Sequence, residues 1–218
     1  MDALGAWESL DPEDPPEARW VRPPAGPSPV VLLGAFDPPT RAHVALVEGA
    51  SRLLGRPGAF CLTKVVLDRP GPALLTPSQR LEVLHELAEV GGLGLCLANR
   101  GTYLEVSRAL DGDAVFVVGS DKLDQLQDPS FYADGAEGVA ATFLQVRFCV
   151  VPRGGVEVER EDVLVLGPEA VFEDRSVATI SSSDVRRRLA EGMSVDEIVP
   201  PLVARRLEGY NLSPSRRR

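Results

Sequence analysis

Cysteine is scarce in this chain. Cys61, Cys96 and Cys149 are its three, far apart and set in apolar runs, with no CxxC and no Cys/His ligand spacing. Buried reduced thiols therefore fit better than a metal site. Histidine is scarcer, with His43 and His85 the only two. No apolar run approaches the ~20 residues that a membrane span needs, and no basic stretch leading into an apolar core marks a secretory signal. Positive charge is short as well: 23 Lys and Arg face 32 Asp and Glu, a formal net charge of −9. That balance disfavours long-range attraction to a nucleic-acid backbone, yet permits a local basic pocket for phosphates. A cytoplasmic protein that binds neither nucleic acid nor membrane is expected.

What is present is an ordinary globular balance, 44% hydrophobic and 25% charged over 218 residues, enough for one α/β domain with short extensions. Residues 1–29 hold seven of the 19 prolines among acids and are expected to be a disordered extension, unless Trp7 or Trp20 docks it. From Val30 the chain alternates. Val30–Leu33 reads as a buried strand, 41–54 as an amphipathic helix, 60–67 as a strand and 77–90 as a helix. The pattern continues with a strand at 93–98, a helix at 103–110, and strands at 114–118 and 148–151, with a short one at 163–166. Residues 124–146 are the least readable, and 213–218 read as a basic tail. Such alternation implies right-handed crossovers and a doubly wound, Rossmann-like parallel sheet with helices on both faces, over residues 30–212.

Two segments carry chemistry. The loop Gly34-Ala35-Phe36-Asp37-Pro38-Pro39-Thr40 leaves the first strand where open sheets bind ligands, and delivers Thr40 and His43 to a helix start. Free N–H groups there favour an anion, and residues three apart share a face, so hydroxyl and imidazole are expected to grip one phosphate together. His85, mid-helix, has no such context and reads as structural. Late in the chain Ile180-Ser181-Ser182-Ser183-Asp184-Val185-Arg186 opens another helix. One serine is explained as a cap; three hydroxyls with Arg186 one turn inside make an anion-binding surface.

Together the two segments resemble the HxGH/TxxH nucleotidyltransferase superfamily, and within it bacterial nicotinate mononucleotide adenylyltransferases. The family stretch Gly-Gly-Thr-Phe-Asp-Pro-x-His-x-Gly-His is matched by Leu33 to His43, and Ile-Ser-Ser-Thr-x-Ile-Arg by Ile180 to Arg186. Gly119-Ser120-Asp121 stands for a Gly-Ala-Asp signature, Arg153-Gly154-Gly155 for an Arg-Pro-Gly turn, and Arg80 for a helix-start arginine. The resemblance implies adenylyl transfer from ATP to nicotinate or nicotinamide mononucleotide, by direct displacement and with release of pyrophosphate. It implies catalytic roles for His43, Thr40 and Arg186. It implies an ATP site of Gly34, Ala35, Phe36, Thr40, His43, Gly119, Asp121, Ile180, Ser182, Ser183 and Arg186. Asp37, Thr102, Tyr103 and Arg153 would meet the acceptor. Mg²⁺ would ride on the ATP phosphates, since no carboxylate cage is visible.

The chain departs from that pattern on the acceptor side. Thr40 stands where the family has its first His, and Thr102 to Ser107 keeps the Tyr of Ser-Tyr-Thr-x-Asp-Thr but loses the Asp. A family Trp aligns near Pro129, where Phe131 or Tyr132 would substitute only by a loop shift. Asp68 to Pro72 replaces a Pro-Pro-His-Lys stretch. Two other readings therefore stand: transfer of AMP or CMP to another phosphorylated metabolite, and a nucleotide-binding protein without turnover. A tRNA synthetase is disfavoured by the charge and by the lack of a Lys-rich KMSKS-type loop. An oligomer is compatible with the sequence.

Overall fold

Parallel strands covered on both faces should be apolar throughout, and the five central ones of this chain are, save for Thr63 and Arg147 at strand ends. The computed structural model describes residues 3–65, 73–100 and 102–212. The chain opens with α1 (Ala3–Ser9) and β1 (Ala18–Arg22), then alternates through β2 (Val30–Gly34), α2 (Arg41–Leu54), β3 (Gly58–Thr63), α3 (Pro77–Val90) and β4 (Gly94–Ala98). It continues through α4 (Tyr103–Ala109), β5 (Val115–Gly119), α5 (Ser120–Gln127), α6 (Ala136–Gln145), β6 (Arg147–Val151) and β7 (Leu164–Val165). Three helices close it: α7 (Pro168–Val171), α8 (Ser182–Ala190) and α9 (Pro201–Gly209). The seven strands lie in the order β1-β4-β3-β2-β5-β6-β7, with β1 antiparallel to β4 and every other pairing parallel. The order reverses between β2 and β5, which is the switch point of the expected doubly wound sheet.

Strand side chains alternate between two cores. Leu32, Phe60, Leu62, Leu95, Leu97 and Val117 face α2 and α3. Val31, Cys61, Cys96, Phe116, Val118 and Phe148 face the opposite layer with Tyr103 and Phe143. All three cysteines are free and buried. A third cluster, including Leu75, Val83, Val185, Val199, Val203 and Leu207, seats α8 and α9 on α3.

The helix starts were legible because their caps are local. Thr40, Thr76 and Thr102 each cap a helix and close a reciprocal box with the residue three on, His43, Gln79 and Glu105. Pro77 fills the first helical position, and Gly55 ends α2 in the left-handed region. Residues 124–146 resolve into the end of α5, a 3₁₀ turn at Pro129–Phe131 and α6.

The disordered extension expected over residues 1–29 is corrected. β1 pairs with β4 from Ala18↔Ala98 onward, and Trp7 is buried in the α2–α3 core. The segment cannot bury enough apolar surface by itself; the free edge of β4 supplies the ladder it lacks. The strand expected at 60–67 runs Gly58–Thr63, with residues 66–67 outside the described part, as are the 68–72 departure and the 213–218 tail. No helix among the described residues is long and apolar enough to cross a membrane.

Candidate active site

The loop after β2 crosses the sheet's carboxyl edge at the switch point. Phe36 takes a positive φ of 49° and the Asp37–Pro38 bond is cis. Phe36 is buried, and its ring meets that of His43 edge-on, with centroids 5.3 Å apart.

Thr40 is fully buried. Its backbone N–H donates to His43 Nδ1 at 2.9 Å, and its hydroxyl lies 2.9 Å from the same nitrogen. A backbone donor at Nδ1 leaves the neutral ring's proton on Nε2. Burial first, then the positive charge of Arg153, lowers the His43 pKa to about 3. The ring is thus a neutral donor, oriented by the cap. The shared grip on a phosphate expected of Thr40 and His43 is not this arrangement: the Thr40 hydroxyl faces the imidazole.

Asp37 was expected at an acceptor, yet its carboxylate is buried. It accepts from the N–H groups of Leu74 at 2.9 Å and Leu75 at 2.7 Å, and it lies 4.0 Å from Arg186 Nη1. Its work is to hold the chain entering α3 against the loop. Arg80, buried in the first turn of α3, donates to Ala35 O at 3.3 Å.

Helix α8 docks directly on this loop. Ser181 is the cap, boxed with Asp184, so one serine of three is explained as a cap residue. Ser182 donates to Pro38 O at 2.8 Å. Arg186 donates to Asp37 O and to Ser183 Oγ, each at 2.9 Å. Segments 144 to 149 residues apart in sequence thereby become one surface, and Ile180 packs beneath it between two cores.

Across the switch point, Gly119 ends β5 and precedes Asp121 in the first turn of α5. A Cβ at Gly119 would stand 2.3 Å from Asp121 Oδ1 and 2.8 Å from Arg153 Nε, so a side chain there would have to push both of these side chains aside. At Gly34 the nearest protein atom to an added Cβ is the Phe36 ring at 3.4 Å, an ordinary contact. Arg153 Nη1 lies 3.7 Å from Asp121, while its Nε is buried without a hydrogen-bond partner among the described residues. Ser120, named from sequence only as the middle of the Gly119–Asp121 signature, is buried, accepts from the Arg153 N–H at 3.0 Å and fixes the turn.

The remaining acceptor-side residues sit apart. Thr102 caps α4. Tyr103 is buried edge-on against Phe116 and Phe148 at centroid distances of 5.3 and 5.4 Å, and burial pushes its phenol pKa well up. Thr102 and Tyr103 do share a slot of about 40 Å³ with Phe131 and Tyr132. Asn99, fully buried at the end of β4, was not singled out from sequence; a lone Asn in a turn gives no signal of burial. Among the described residues no cluster of three His, Cys, Asp or Glu could hold a metal ion.

A doubly wound sheet with loop, helix starts and arginines converging at its switch point defines the nucleotide-handling class of α/β domains. The chain belongs to the cytidylyltransferase-like family, whose model matches residues 31–188. A relative from Coprothermobacter proteolyticus, described as "Probable nicotinate-nucleotide adenylyltransferase", is 29% identical over 102 residues, 47% of this chain and 47% of the relative. The match thus spans about half the length of that relative. The fold is similar to that of a Plasmodium falciparum nicotinic acid mononucleotide adenylyltransferase complexed with APC. The TM-score is 0.62 at 17% identity, covering 86% of this chain and 97% of that one. The same enzyme complexed with NaAD gives the same values.

Proposed function

We propose that the chain is a nucleotidyltransferase that moves the adenylyl group of ATP onto nicotinate or nicotinamide mononucleotide. The observation that carries this reading is the union of the two segments: Arg186 and Ser182 bond to Asp37 O and Pro38 O, beside the helix start bearing His43. The family match and the names of the relatives support it.

In this reading an acceptor phosphate oxygen attacks the α-phosphorus of ATP. The bond from that phosphorus to the β-phosphate bridging oxygen breaks, and pyrophosphate leaves. No protein nucleophile is needed; positioning and charge stabilisation carry the rate. His43 donates from Nε2 to an α-phosphate oxygen, and Thr40 holds the ring in that tautomer. Arg186, Ser183 and the free N–H groups of α8 hold the β- and γ-phosphates. Gly119 lets the nucleoside approach the sheet edge, and Asp121 accepts from its ribose hydroxyls. Asp37 positions rather than touches, and Arg153 lies between Asp121 and the histidine. Mg²⁺, bound through ATP phosphate oxygens, would supply further neutralisation of charge.

A second reading, transfer of AMP or CMP to another phosphorylated metabolite, is favoured by one observation. The slot of Thr102, Tyr103, Phe131 and Tyr132 is about 40 Å³, room for a few waters, and has to open before it admits a pyridine ring. The test is pyrophosphate release from Mg·ATP and Mg·CTP with both pyridine mononucleotides and a panel of other phosphorylated acceptors. Release confined to ATP with a pyridine mononucleotide supports the first reading; release only with another acceptor or with CTP replaces it by the second.

A further inference from the structure

The N-terminal segment does more than cover the edge of β4. Covering is achieved by the β1 ladder, Ala18–Arg22 against Leu95–Ala98. Residues 10–17 go further and arch over the carboxyl tips of β3 and β4, the same sheet edge from which the 34–40 loop and Gly119–Asp121 leave. Two residues tie the arch down there. Lys64, just past β3, donates from Nζ to Leu10 O, with its ammonium 5.2 Å from the Trp7 ring centre. Asn99, just past β4, uses all of its amide: Nδ2 donates to Asp11 O at 2.8 Å and Pro15 O at 3.0 Å, and Oδ1 accepts from Glu17 N–H and Arg100 N–H, each at 2.8 Å. The backbone N–H of Asn99 also donates to Glu17 O at 3.1 Å.

Asn is the one residue that satisfies this node. Two backbone carbonyls need donors and two N–H groups need an acceptor; Asp offers no donor and Leu offers neither. Such a buried network specifies geometry when it is complete. From Asn99 only two residues intervene before Thr102, the cap of α4, and Tyr103.

We infer that residues 10–17 are a fixed wall beside the acceptor end of the site, and that Asn99 is the positioning residue joining this wall to the chain entering α4. The inference rests on the acceptor reading of Thr102 and Tyr103 given above. ATP, held by α2, α5 and α8, does not depend on the wall.

Trp7 and Trp20 are the only tryptophans in the chain and flank residues 10–17 on either side, so intrinsic tryptophan emission reports how the segment is seated at both ends of the wall. The variant is Asn99→Asp, which keeps the shape and both accepted N–H groups but turns the donors into an oxygen facing two carbonyls. The expected result is a red shift of emission, with KM for the preferred pyridine mononucleotide raised about tenfold and KM for ATP within about twofold of wild type. KM does not depend on how much enzyme is folded, so a loss of stability alone leaves both constants unmoved. A red shift with both KM values unchanged, or raised alike, makes the wall a structural cap and overturns the inference. Should Asn99→Asp fail to fold, Lys64→Met removes the tie to Leu10 together with the cation over Trp7, so its readout is kinetic. KM for the mononucleotide is expected to rise while KM for ATP stays within about twofold of wild type, and both unchanged or raised alike overturns the inference. Absence of a red shift in Asn99→Asp overturns the tether itself. If wild type releases no pyrophosphate with either pyridine mononucleotide, the proposed function fails first and this inference falls with it.

Discussion

His43 and Thr40 show how one pair of side chains sets the chemistry of the loop. The spacing of three between them was readable, because a helix start places such residues together. Their division of labour was not readable, since it depends on Thr40 being fully buried and on its N–H facing Nδ1. His43→Ala is expected to lower kcat by roughly 10²-fold, the loss of one transition-state donor; kcat near wild type in steady-state assays would remove His43 from the reaction.

The same histidine should show an acid-side signature. Its folded pKa of about 3 lies below the ordinary 6.5, so between those values the unfolded chain binds a proton that the folded chain refuses. The stability due to the neutral ring is complete above pH 6.5 and is lost as pH falls toward 3. Urea midpoints at pH 7 and pH 5 are expected to differ less in His43→Gln than in wild type; an unchanged difference would show that the ring titrates normally. Glycine provides a second contrast. Gly119→Ala requires the side-chain ends of Asp121 and Arg153 to move aside, and should lower Tm modestly. Gly34→Ala meets only ordinary contact with Phe36, so it should leave Tm within a few degrees and act, if nucleotide passes close to that backbone, by raising KM for ATP. A large fall in Tm for Gly34→Ala would instead make that glycine a packing requirement.

Among elements, those with local signals were legible. The span Arg41–Leu54 follows from its apolar stripe, Pro77–Val90 from a stripe, a threonine start and a proline at the first turn, and the five core strands from continuous apolar runs. Elements that depend on distant partners were not. β1 is a strand only because β4 has a free edge, and α1 is placed by Trp7 entering a core built by other segments. α9 is held by the third cluster rather than by its own pattern. α8 lies between these cases: its serines and arginine were visible, but their hydrogen bonds to Pro38 O and Asp37 O were not. Because Arg186 also faces the buried Asp37, Arg186→Ala is expected to raise KM for ATP about tenfold and to lower Tm by several degrees. Thermal melts and ATP kinetics together check this. A fall in Tm with unchanged KM for ATP would leave Arg186 a loop anchor with no part in holding phosphate.

At the scale of the whole molecule, the strand order places its reversal between β2 and β5, and the segments legible as nucleotide-binding lie at that reversal. The expected resemblance and the family match over residues 31–188 agree. The acceptor side was harder to read, and for a physical reason. As proposed, it would be assembled from the turn after β4, the 3₁₀ turn at Pro129–Phe131 and the arch of residues 10–17, none of which has a periodic signature. The nucleotide side, by contrast, uses helix starts and a strand end, whose geometry follows from local sequence.

Pyrophosphate release from Mg·ATP, measured with nicotinate and nicotinamide mononucleotides as separate acceptors, tests the central claim most directly. Acceptor-dependent release with at least one of the two, abolished or cut by roughly 10²-fold in His43→Ala, is the predicted result. A folded chain that binds ATP yet releases no pyrophosphate with either mononucleotide would contradict it.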